Sequence, residues 1–124
     1  MRIDREKLRE RLRKHDRTIF FVKYDYLLEH HYYLIRKESI YILWAGCDIF
    51  DDLNRNHLGS IFQEELITGL EKARSSGSWE APKDPSYSHS IEKLEILDPR
   101  ACLTNKSKAV RKAAKYCLGE KNYD

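Results

Sequence analysis

Histidines beside acids are the first residues to test for chemistry. Glu29-His30-His31 sets three possible metal ligands in a row. A metal shared along one helix needs ligands three or four residues apart on one face. Adjacent helical residues point in three directions, so the triplet predicts no metal site. His31 falls instead in the middle of an apolar arc, where a buried structural histidine is expected. Asp48 and Asp52 are four apart and could share an ion, while His89 and Glu92, three apart, have a usable spacing but stand alone. No Gly-x-Ser-x-Gly elbow is present, and five scattered glycines build no phosphate loop. Cys47, Cys102 and Cys117 show no metal-ligand spacing. The expectation is a non-catalytic chain without metal or cofactor.

A sharper pattern is cationic. Lys108, Arg111, Lys112 and Lys115 fall within about 100° of helical arc, opposite Val110, Ala113, Ala114 and Cys117. Arg100 and Lys106 precede them. Such a stripe suits phosphates or an acidic protein face. The formal charge of +3 conceals a division: residues 1–17 carry +4, residues 18–99 carry −6 and residues 100–124 carry +5. A basic, acidic, basic order suggests oriented contacts.

The elements that must position these residues read as helices. Asp4 opens one over 4–15, with Leu8 and Leu12 as a thin apolar stripe. Residues 18–45 are rich in β-branched and aromatic types, which favours strand. Yet no Gly, Pro or Asn stands from Thr18 to Ala45 to make a turn. At 100° per residue, Phe20, Tyr24, Leu27, Leu28, His31, Leu34 and Ile35 share one arc of roughly 160°. A helix over about 18–37 is therefore expected. Tyr26 and Tyr33, seven apart, form a second stripe opposite it. Either that helix is sandwiched, or the two tyrosines face a partner.

Residues 39–55 predict a buried helix broken at Gly46, with Asp48 capping its second part. Ser60-Ile61-Phe62-Gln63 is a capping box that opens a helix to about Arg74. Residues 75–90 hold six Ser, one Gly and two Pro and read as a long loop carrying Trp79 and Tyr87. These two rings either anchor the loop or form a recognition arm. A short helix follows from Ile91 to Leu97, ended by Asp98-Pro99. Ser107 opens the last helix, which stops at Gly119.

The C-terminal segment resembles one HEAT repeat. Leu94, Leu97 and Asp98-Pro99 are followed, after an insert, by Val110, Arg111, Ala113, Ala114, Leu118 and Gly119 at matching positions. The insert Arg100–Lys108 is longer than the usual turn, and the match covers about 30 residues of the 124. The resemblance implies a helical hairpin and protein interaction.

Length and composition bound the rest. Charged residues are 35% and hydrophobic residues 41% of 124 residues, which fits one globular domain over 1–124. The longest uncharged stretch in the apolar centre, Ser39 to Cys47, is nine residues, short of the ~20 a spanning helix needs. No apolar leader follows Met1, so a cytoplasmic protein with reduced thiols is expected. The expected fold is all-α: a compact bundle of five or six helices, a long loop at about 75–90 and a C-terminal helical hairpin. The alternative is α+β, with a small antiparallel sheet from 18–45.

The expected function is a small interaction protein: an adaptor, a regulator or a small subunit. It would bind a protein partner through Tyr26, Tyr33, Trp79 and Tyr87 and through Lys108, Arg111, Lys112 and Lys115. The alternative is an accessory nucleic-acid-binding subunit using the basic N- and C-terminal helices. A small metal-dependent enzyme is the weaker alternative. The acidic centre favours the protein partner, because it repels a backbone wrapped across it.

Overall fold

The computed structural model of the chain describes residues 4–24, 30–43, 60–81 and 91–119. It is an α+β fold. The elements run α1 (Arg5–Arg13), β1 (Thr18–Tyr24), β2 (His30–Arg36), β3 (Ser39–Ile42), α2 (Ser60–Ala73), β4 (Ser78–Glu80), β5 (Ile91–Ile96), α3 (Pro99–Cys102) and α4 (Lys108–Cys117). The five strands form one sheet in the order β3-β2-β1-β5-β4, with every neighbouring pair antiparallel.

Helices cover both faces. On one, Leu8 and Leu12 of α1 and Leu66, Ile67 and Leu70 of α2 pack on Phe20, Val22, Tyr33, Ile35, Ile40 and Leu94. On the other, Ala109, Val110, Ala113, Ala114 and Tyr116 of α4 pack on Ile19 and Leu34. The alternation of the pleat splits β1 and β2 between two cores.

The all-α bundle expected from the sequence is overturned by this sheet: β1, β2 and β3 lie within 18–45, where the alternative placed a small sheet, while β4 and β5 extend it with segments expected as loop and helix. The reason is visible in β1. It is the central strand, so Thr18, Ile19, Phe20 and Val22 are all buried and no clean apolar–polar alternation appears. The β2–β3 turn also lacks the usual residues. Lys37 takes its left-handed place, at φ 58°, and Asp16 Oδ1 accepts the Lys37 N–H at 2.8 Å. A carboxylate from before β1 thus holds a turn that local composition does not announce.

The helix expected over Ile91–Leu97 is strand β5. Its buried residues Ile91 and Leu94 are three apart, a helical spacing. The register shift beside Lys23/Tyr24 explains them: Lys23 pairs with Lys93, but Tyr24 pairs with Ile91. The extra residue, Glu92, makes a bulge that returns both apolar side chains to one face. Similarly, Ser39–Ile42 is strand rather than the start of a helix, while 44–55 lies outside the described residues. The loop expected at 75–90 contains β4, and its part from 82 on lies outside them too.

The helices opened by Asp4 and Ser107 stand as expected, and so does α2. Asp98 begins a helix rather than ending one, for its carboxylate caps α3 at Arg100 N–H. In the expected capping box, Gln63 is drawn elsewhere: its Oε1 accepts the Ile40 N–H at 2.8 Å. That occupies a backbone donor on the edge strand β3.

Candidate functional site

The cationic stripe is built on α4. Ser107 Oγ accepts the Val110 N–H at 3.3 Å and starts the helix, and Gly119, at φ 83°, ends it. Ala109, Val110, Ala113, Ala114 and Tyr116 are buried against the sheet. Lys108 is exposed, and Arg111, Lys112 and Lys115 are half-buried on the outward side. The stripe read from the sequence therefore faces away from the core. From Pro99 to Gly119 the chain has six Lys or Arg and no Asp or Glu. Arg111 is committed in part: its guanidinium donates to the carbonyls of Asn105 at 2.7 Å and Lys106 at 3.0 Å. It thereby fastens the loop that joins α3 to α4.

A second group of cations meets α4 at its C-terminal end. The Arg17 guanidinium donates to the Tyr116 carbonyl and lies 4.5 Å from the centre of the Tyr116 ring. Arg36 stands 5.5 Å from the same ring. The Tyr116 hydroxyl donates to Asp16 Oδ1 at 2.8 Å, the oxygen that also holds the Lys37 turn. Burial, helped by Asp16, pushes the Tyr116 phenol up to about 12. Tyr116 is thus a neutral post between the cations of α4 and two others, Arg17 of the α1–β1 connection and Arg36 at the end of β2. Cation–π contact and the carbonyl bond keep Arg17 there. Lys112 lies one turn before Tyr116, so Arg17, the last cation of the N-terminal basic stretch, adjoins the cations of α4.

The basic residues of α1 behave differently. Arg11 binds Glu64 at 2.6 Å and Glu71 at 2.5 Å, with Thr68 at 3.0 Å. Hydrogen bonds to these carboxylates hold the Arg11 guanidinium well above its ordinary range. Arg9 pairs with Glu6, and Arg13 reaches Glu38 at 3.8 Å. Acids of the central segment, Glu64, Glu71 and Glu38, thereby pair with Arg11 and Arg13 of α1, away from α4.

Of the four aromatic residues expected at a partner surface, the two described ones, Tyr33 and Trp79, are placed against the core. Tyr33 is in the core, its hydroxyl 2.6 Å from that of Tyr24 and its ring stacked on Phe20. Trp79 packs against the same core, with the Lys72 ammonium 4.9 Å from its ring centre. Tyr26 and Tyr87 lie outside the described residues. His31 is half-buried, edge-on to Tyr24 at 5.5 Å. Sequence reasoning missed Arg17 and Arg36. Their role depends on contacts with Tyr116, 99 and 80 positions away, for which the sequence carries no local signal.

Among the described residues, no three His, Cys, Asp or Glu side chains converge as a metal site. None of their helices is long and apolar enough to cross a membrane. The chain matches no protein-family model, no curated protein and no solved structure.

Proposed function

We propose that the chain is a non-catalytic nucleic-acid-binding domain that contacts phosphates through α4 and the junction at Tyr116. One observation carries this reading: the acid-free segment Pro99–Gly119 presents its cations outward and is joined at Tyr116 by Arg17. A row of such cations tracks a phosphate backbone and releases its counterions. The acidic centre, which counted against this reading, is partly disposed of elsewhere. Glu64 and Glu71 neutralise Arg11 across the sheet from α4. The aromatic half of the protein-partner reading loses support, since Tyr33 and Trp79 serve the core. Free Cys102 and Cys117 accord with a reducing compartment, and a cytoplasmic accessory subunit is the form we propose.

The test is fluorescence anisotropy with a labelled oligonucleotide, single-stranded and duplex, across a salt series. Lys108, Lys112 and Lys115 are replaced together by Gln, and Arg111 is kept because it fastens the loop. The parent binds, and the triple variant lowers the salt slope by about two to three, at 0.7–0.9 per phosphate. Glutamine maintains the helix. An oligonucleotide that does not bind, or a slope that does not change, overturns the reading. Capture of an acidic protein by the parent but not the variant would assign the stripe to a protein partner instead.

A further inference from the structure

Resting on that reading, we infer that the ligand is single-stranded and that its bases stack on the sheet beside α4. The pleat places Phe21 and Tyr32 on the α4 side, directly opposite each other in the β1–β2 register. Their ring centres are 6.0 Å apart, and both rings are half-buried. Tyr32 also packs against the α4 core, so this pair is continuous with the layer that carries the cationic stripe.

The neighbouring rows supply the polar groups. Lys23 and Lys93 face each other across β1 and β5. Lys23 lies 3.5 Å from Glu92, and Lys93 lies 3.7 Å from Glu95, in pairs roughly 40% exposed. Exposed pairs of this kind are worth little and open readily to another partner. Lysines can then take phosphates, while the carboxylates accept from the exocyclic amines of bases. Aromatic rings beside cations on one sheet surface bind unpaired bases, because every base has a stacking face. A duplex keeps its base faces inside and gains nothing from Phe21 or Tyr32.

The experiment compares one labelled sequence as single strand and as duplex, with the parent, Tyr32→Leu, Phe21→Leu and Tyr32→Phe. The parent prefers the single strand. Each leucine variant weakens single-strand binding by about tenfold at an unchanged salt slope, since stacking rather than charge is lost. Tyr32→Phe, which keeps the ring, binds like the parent, and duplex binding is the same in all four. Thermal melts confirm that the variants are folded. A single strand carrying 2-aminopurine gives a second measurement on the unaltered protein, for its emission falls when the base stacks. Equal parental affinity for both forms, no effect of the leucine variants, or undiminished 2-aminopurine emission overturns this inference. If the lysine variant still lowers the slope in those cases, phosphate binding by α4 stands without it. No binding of either form overturns both.

Discussion

At the scale of single residues, polar groups inside the fold are satisfied by distant partners. The Tyr24 and Tyr33 hydroxyls meet at 2.6 Å within the core under α1 and α2. Tyr33→Phe removes one of them and should cost about 1 kcal/mol in urea denaturation. Tyr33→Ala also loses the ring stacked on Phe20 and should cost about 3–5 kcal/mol. His15 shows the opposite condition. Its Nδ1 is buried with no hydrogen-bond partner among the described residues. Burial first, then the charge of Arg74, holds its pKa below the ordinary 6.5, with Lys14 and Arg11 adding and Glu71 opposing. The folded state therefore binds this proton less readily than the unfolded chain does. Stability from neutral His15 is present above pH 6.5 and is lost as the pH falls through the folded value. Denaturation midpoints from pH 8 to pH 5 should decline, and His15→Gln should flatten that decline.

Elements are set by what docks on them. The β2–β3 turn places Lys37 at φ 58°, a conformation that costs an L-residue roughly 1–2 kcal/mol. The bond from the Lys37 N–H to Asp16 offsets part of this. Glycine relieves the strain but loses more chain entropy on folding. Lys37→Gly should therefore stabilise the protein by about 0.5–1 kcal/mol, whereas Lys37→Val should destabilise it. Chemical denaturation of the two variants distinguishes strain at this turn from a mere preference for polar residues. The bulge in β5, where it pairs with β1, likewise decides an element, since it brings Ile91 and Leu94 to one face.

For the whole molecule, the sheet divides labour between its faces. In one layer Arg11 of α1 is paired with Glu64 and Glu71 of α2. The other, α3 and α4, turns the cations of an acid-free segment outward and seals Ile19 and Leu34 inward. A chain ending at Leu97 would uncover Ile19 and Leu34, both fully buried. Uncovering them costs about 1.5–3 kcal/mol for each side chain, a large share of a typical domain's stability. The truncated chain should aggregate or bind a hydrophobic dye, as light scattering and dye fluorescence would show. A soluble, cooperatively melting truncation would mean that the α4 layer is not part of the core.

The sequence by itself determined the features that depend on neighbours along the chain. Asp4 and Ser107 cap helices because their side chains reach an N–H three residues on. The stripe of Lys108, Arg111, Lys112 and Lys115 follows from helical periodicity, and its outward side follows from the alanines opposite. Residues 18–36 carried the composition of strands, but buried both faces of β1 and so hid the alternation that marks them. Only tertiary structure decided the rest. Lys37 could turn without glycine because Asp16 was waiting, and β5 could hold helical spacing because a bulge absorbed one residue. Tyr33 became a core residue, not a surface one, when α1 and α2 covered its face. Arg17 joined the α4 cations because packing brought the start of β1 against Tyr116, a contact of long sequence separation that no local pattern encodes.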